Sequence, residues 1–158
     1  MEKIVVGADA FGMDLKNTIK EHLEKKGFEV IDVGTHDKDN PVLYYNAAAQ
    51  VAKKIQDGEA KRGILFCGTG MGVSIVANKF KGIYASVIES DYTGKMCKAV
   101  NNSNVLTIGQ MIVSEYKAKM AVDNWLNTEF LEGFEGDLKN DLDNALAEIE
   151  KIEADNFK

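Results

Sequence analysis

Short apolar, β-branched runs alternate along this chain with stretches of helical period, from the N-terminus to about residue 126. Residues 4–8 read as a strand, and Leu15, Ile19 and Leu23 then mark one face of a helix. Gly27 closes that helix, and residues 28–33 carry the second strand pattern. A loop from Gly34 to Pro41 holds the only proline, after which residues 47–55 look helical up to Asp57-Gly58. Residues 63–66 are the third strand, 72–80 a helix and 83–88 the fourth strand. Ser90 and Asp91 can cap the next helix, which runs toward Asn101. Residues 105–108 are the fifth strand and 114–126 another amphipathic helix. Strands that alternate with helices in this way build a parallel sheet covered on both faces. The expected fold is therefore α/β: a doubly wound, Rossmann-like, five-stranded parallel sheet with helices on both faces, plus a C-terminal helix.

In such sheets ligands bind beyond the carboxyl ends of the strands. That points to Asp9, to Gly34-Thr35-His36, to Cys67 and the residues after it, to Glu89-Ser90-Asp91, and to Gly109. The tail differs from the rest. After Gly133 and Gly136, the residues Leu138, Leu142, Ala145, Ile149 and Ile152 form an apolar stripe among acids and lysines. Residues 1–131 are expected to form the α/β domain and 132–158 a helical extension. Such a stripe packs on its own domain or on a neighbouring subunit; a subunit interface is the expectation.

At 158 residues the chain suits one domain. A formal charge of −6 argues against a general nucleic-acid binder, because phosphate backbones are held by clustered Lys and Arg. Arg62 is the only arginine, so arginine forks on a phosphate cannot come from this chain in number. Two cysteines, Cys67 and Cys97, are too few for a disulfide framework and unlike zinc-ligand spacing. No signal-peptide pattern opens the sequence and no apolar run approaches the ~20 residues of a membrane span. A cytoplasmic protein is expected, with neither membrane nor nucleic acid as partner.

The richest motif is Phe66-Cys67-Gly68-Thr69-Gly70-Met71-Gly72-Val73-Ser74. Three glycines at alternate positions between a strand and a helix let backbone N–H groups converge on an anion. A thiol at the mouth of that turn gains from the positive helix end, which favours the reactive thiolate. The plain alternative is a buried core cysteine beside a tight turn. A dinucleotide fingerprint is a further reading: Glu89 lies about 20 residues on, but the spacing is G-x-G-x-G rather than G-x-G-x-x-G. No Walker lysine follows, which excludes a P-loop.

Several stretches together resemble the ribose-5-phosphate isomerase B and galactose-6-phosphate isomerase family. They are Val5-Val6-Gly7-Ala8-Asp9 with Gly12 and Leu15-Lys16, Val30-Ile31-Asp32-Val33-Gly34-Thr35, Cys67-Gly68-Thr69-Gly70-Met71-Gly72, Ala77-Asn78-Lys79, and Asn101 to Gly109. They occur in order as far as about Phe130. The resemblance implies a cofactor-independent, metal-free aldose–ketose isomerase acting on a pentose or hexose phosphate through an enediolate. It implies Cys67 as the base next to the carbonyl and Thr69 as the proton relay between the two oxygens. The backbone amides of Gly68, Gly70, Met71 and Gly72 would hold the oxyanion, with Asp9, Tyr44 and Asn101 binding the sugar. It also implies a homo-oligomer, or a hetero-oligomer with a related subunit.

The departures fall at defined places. Where the family commonly carries histidines, this chain has Ala10 and Val100, and the C-terminal phosphate-binding arginines are replaced by the acidic stretch around Phe134 to Lys139. Of the two histidines present, His22 lies within a helix and His36 follows a strand end. Three readings stay open: a catalytic isomerase, alone or in a mixed assembly; a non-catalytic sugar-phosphate-binding or supporting subunit; and a nucleotide-binding module.

Overall fold

The computed structural model describes residues 1–157; Lys158, the last residue of the expected C-terminal extension, lies outside them. Five strands and six helices alternate: β1 (Lys3–Ala8), α1 (Met13–Lys25), β2 (Glu29–Asp32), α2 (Tyr44–Gln56), β3 (Arg62–Cys67), α3 (Met71–Ala77), β4 (Ala85–Val87), α4 (Asp91–Asn101), β5 (Val105–Gly109), α5 (Glu115–Leu126) and α6 (Gly136–Asn156). The strands form one sheet in the order β2-β1-β3-β5-β4, and every pairing is parallel. The doubly wound α/β fold expected from the alternation is the one observed.

Each central strand is buried on both sides, which is why β1, β3 and β5 are nearly continuous apolar runs. On one face Leu15, Ile19 and Leu23 of α1 pack with Ala118, Ala121, Val122 and Trp125 of α5 against Ile4, Ile64 and Leu106. On the other face Ala48, Val51 and Ala52 of α2 join Val73 and Ala77 of α3 over Val5, Leu65 and Val105. Trp125 is fully buried and its indole N–H donates to the Ser103 carbonyl at 2.9 Å. Arg62 stacks over that ring, 5.2 Å from its centroid, and donates both arms of its fork to Glu2 at 2.8 Å. The lone arginine is thus committed at the amino end of the sheet.

Helix α2 begins at Tyr44, three residues before the expected start, and two further elements are shorter than the sequence reading gives them. The helix expected over 72–80 ends at Ala77, and the strand expected over 83–88 shrinks to three residues. One side chain accounts for both. Asn78 donates to the Ala85 carbonyl at 3.0 Å and accepts from the Ala85 N–H at 2.8 Å, so the chain leaves the helix to clamp the start of the strand. Ser90 caps α4 as expected, within a reciprocal capping box with Thr93.

Helix α6 buries none of its residues, and Leu138, Ile149 and Ile152 of its stripe stay exposed. Glu153 ties it to the domain by accepting from the Gly82 N–H at 2.9 Å and the Tyr84 hydroxyl at 3.1 Å. Burial, together with Glu153, pushes the Tyr84 hydroxyl up to about 12. Among the described residues, no helix is long and apolar enough to cross a membrane.

Candidate active site

The strand order reverses between β1 and β3: the chain runs outward from β1 to β2 in one direction and from β3 to β5 and β4 in the other. A parallel sheet leaves a crevice at the carboxyl end of such a reversal. In register, Ala8 of β1 faces Phe66 of β3, and Cys67 faces Gly109 of β5. Asp9 and Cys67 therefore emerge side by side. A cavity of about 430 Å³ opens there, lined by Asp9, Phe11, Tyr44, Cys67, Gly68, Thr69, Gly72 and Met111. Three hollows are larger: two, of about 720 and 640 Å³, lie around Glu2 and Lys61 at the opposite strand ends, and one of about 510 Å³ lies between Pro41 and Lys53; none is lined by the thiol or the glycine turn.

The turn after β3 organises this cavity. Gly70 takes a left-handed backbone with φ of 77°, which few other residues tolerate, and its N–H donates to the Cys67 sulfur at 3.1 Å. The thiol is thereby held by a backbone dipole at the cavity floor, 5% exposed. The Thr69 hydroxyl accepts from the Met71 N–H at 3.3 Å. Gly109 supports the turn from behind: a Cβ there would stand 2.5 Å from the Thr69 carbonyl carbon. Only a hydrogen leaves room for the backbone of Thr69.

Asp9 accepts from the Gly12 N–H at 3.0 Å. Burial raises its carboxyl above the ordinary value, against the pull of the surrounding backbone N–H groups. The loop that delivers Tyr44 is fixed by Thr35, whose hydroxyl donates to the Ala8 carbonyl at 3.0 Å and accepts from the Val42 N–H at 2.9 Å. Beside it, fully buried Lys16 donates to Asp32 at 2.7 Å, while Asp32 accepts from the Gly34 N–H at 3.0 Å. Burial acts to raise the Asp32 carboxyl, but the Lys16 ammonium and the Gly34 N–H outweigh it, and the net shift is downward.

Six of the residues expected from sequence meet in the cavity: Asp9, Tyr44, Cys67, Gly68, Thr69 and Gly72. Gly70 lies behind the wall, and Met71 points away with half its surface exposed. The amides of Gly70 and Met71, expected to face an oxyanion, donate instead to Cys67 and Thr69. Asn101 is not in this cavity. It ends α4 and lines a separate hollow of about 360 Å³ with Ser86, Thr93 and Cys97, because β5 separates β4 and its helix from the β1–β3 crevice. His36 is exposed, 3.8 Å from Asp32, and outside the lining. Phe11 and Met111 are the lining residues that the sequence reading missed. Each sits two positions beyond a marked strand-end residue, Asp9 or Gly109, but neither side chain carries a chemical flag.

A profile of the Ribose/Galactose Isomerase family matches residues 4–143. The chain is 44% identical over 133 residues to a 4-deoxy-4-sulfo-D-erythrose isomerase from a Clostridium species, covering 84% of each chain. It is 44% identical over 130 residues to ribose-5-phosphate isomerase B of Escherichia coli, covering 82% of this chain and 87% of the relative. Among solved structures, ribose-5-phosphate isomerase B of Clostridium thermocellum superposes with a TM-score of 0.88 at 38% identity, over 97% of this chain and 98% of that one.

Proposed function

We propose that this chain, which belongs to the ribose/galactose isomerase family, interconverts an aldose and a ketose bearing a terminal anionic group, a sugar phosphate in the first instance, with Cys67 as the base. The single observation that carries the reading is the thiol of Cys67 at the floor of the switch-point cavity, held by the Gly70 N–H at 3.1 Å beside Thr69 and Asp9. The Cys67 sulfur removes the proton from the carbon next to the carbonyl, and the electrons move into an enediolate. The Thr69 hydroxyl passes a proton between the two oxygens, and Cys67 returns its proton to the neighbouring carbon. Gly70 and Met71 use their amides within the turn, so the oxyanion falls to the N–H groups of Gly68, Thr69 and Gly72. Losing one such fixed donor costs about 10²–10³ in rate. Asp9 orients a sugar hydroxyl. The two relatives named above differ in sugar length and share a terminal anion, phosphate in one and sulfonate in the other.

The test is proton NMR of the purified chain in deuterated water with a panel of sugar phosphates. Ketose formation with deuterium entering beside the carbonyl is the expected result. Tight binding without exchange would favour the second reading, a supporting subunit, which draws on the absence of histidine and arginine from the lining.

Gly109→Ala is expected to cut turnover by about 10²-fold while the protein stays folded, because the added methyl displaces Thr69 by a fraction of its own width. Circular dichroism and steady-state rates check this; parent-like turnover would show that the turn's placement is not critical.

The enzyme is also proposed to work as an oligomer whose second subunit, identical or related, closes the cavity. Phe11 and Met111 of its lining stand exposed with Ile112 next to them in the chain, and Leu138, Ile149 and Ile152 of α6 are exposed as well. Sedimentation at assay concentration should give a dimer or larger species, and a monomer with full turnover would sink the assembly.

A further inference from the structure

We infer that the sugar turned over at this site is one that cannot close into a ring: a four-carbon aldose–ketose pair whose C4 carries the anion, as a phosphate ester or a sulfonate. The inference rests on the isomerase reading and adds the substrate class.

A furanose or pyranose must be opened before its carbonyl exists. Opening requires an acid at the ring oxygen and a base at the anomeric hydroxyl, in addition to the base that later works at carbon. The cavity lining supplies three titratable side chains, Asp9, Tyr44 and Cys67. Cys67 is spent on the carbon proton, and the Asp9 carboxylate is tied to the Gly12 N–H at 3.0 Å. No imidazole reaches the cavity. His22 is bonded to Asp123 at 2.7 Å on the flank of α1 and α5, and His36 sits out beside Asp32. The chain has only these two histidines, so a second copy closing the cavity brings at most its own pair, of which the partner's His22 is already bonded within its own helices. The site is equipped for one proton shuttle at carbon and lacks a dedicated pair for a ring.

Substrate chemistry removes the need. A five-membered ring closes through a free hydroxyl on C4. Where that position bears a phosphate ester or a sulfonate, only the C3 hydroxyl remains, and closure through it would give a strained four-membered ring. The carbonyl stays accessible and one base suffices. The polar side chains match as well. Two oxygens of a four-carbon sugar take part in the enediolate and fall to Thr69 and the turn, leaving one hydroxyl, on C3, for one carboxylate, Asp9. Ribose 5-phosphate has two such spare hydroxyls and a hexose phosphate three, whereas Phe11 and Met111 make the rest of the wall apolar.

The purified chain is assayed by NMR in deuterated water against erythrose 4-phosphate, 4-deoxy-4-sulfoerythrose, ribose 5-phosphate and 4-deoxyribose 5-phosphate. The last keeps five carbons but has lost the ring-closing hydroxyl. The expected result is a kcat/KM for at least one four-carbon substrate above that for ribose 5-phosphate by about tenfold or more, with the 4-deoxy sugar also ahead of ribose 5-phosphate. Which of the two four-carbon substrates leads identifies the anion as phosphate or sulfonate. Ribose 5-phosphate turned over as well as the four-carbon sugars, or a 4-deoxy sugar no better than its parent, overturns the ring argument and leaves the isomerase reading standing. A folded protein that exchanges no proton in any of the four overturns the isomerase reading itself.

Discussion

Alanine in place of Cys67 is expected to lower isomerisation by about 10³-fold or more and to abolish deuterium entry beside the carbonyl. A positioned proton-transfer group contributes about 10²–10⁴ in rate, and the cavity lining holds no second base placed by the turn. Sugar binding should survive, because Asp9, Thr69, Tyr44 and the remaining amides are untouched, so the loss belongs in kcat rather than KM. Stability should fall modestly: the substitution removes one sulfur and leaves the buried Gly70 N–H without its acceptor, a loss of about 1–3 kcal/mol. Cys97→Ala is the matched control. That thiol is buried, its Sγ donates to the Gly94 carbonyl at 3.3 Å, and burial pushes it up to about 11, so it supplies no thiolate near neutral pH. Exchange by the Cys67→Ala protein within tenfold of the parent would remove the thiol from the mechanism.

The sheet and the thiol were legible in the sequence for one reason. Strands buried on both faces must be apolar and β-branched, and a strand-to-helix turn that brings backbone N–H groups together must be glycine-rich. Those two demands mark β1, β3, β5 and the turn after Cys67. What was not legible depends on strand order. The alternation of elements is the same whether β4 or β5 lies beside β3, yet that choice decides whether α4 reaches the crevice. Because β5 is the neighbour, Gly109 supports Thr69 and Met111 joins the wall, while Asn101 is carried to another hollow. Hydrogen-bond direction was hidden too. A run of glycine amides suggests an anion nest, but the positive φ of Gly70 turns its N–H onto the neighbouring sulfur. The buried Lys16–Asp32 pair was hidden because a lysine on a helix and an aspartate at a strand end ordinarily face water.

Loss of that pair is expected to be the most destabilising polar change in the molecule. Asp32→Ala leaves the Lys16 ammonium fully buried with no counter-charge and the Gly34 N–H without its acceptor, a situation that costs about 3–5 kcal/mol. The pH dependence has a definite sign. The Asp32 carboxyl lies below its ordinary value of 3.8 in the folded protein, so its contribution is fully present above that value and is lost as pH falls through the lower folded value. Urea unfolding near pH 7 should therefore show the full deficit of Asp32→Ala. As pH falls below 3.8 and through the lower folded value the gap should narrow, because protonating Asp32 in the parent also leaves Lys16 without a counter-charge. Asp9 works in the opposite direction. Its raised value means that the folded state resists ionising it, so its charge costs stability as pH rises past 3.8, a cost taken at the one carboxylate in the cavity lining. The double variant Lys16→Met with Asp32→Leu should recover most of the lost stability, since an apolar pair of similar volume can replace a buried ion pair at little cost. Its Gly34 N–H still lacks an acceptor, so the loop carrying Thr35 toward Tyr44 should loosen and turnover should fall even where stability returns. A single variant that loses less than about 1 kcal/mol, or a deficit equal at neutral and acid pH, would refute the account of Asp32 as the counter-charge that lets Lys16 sit fully buried.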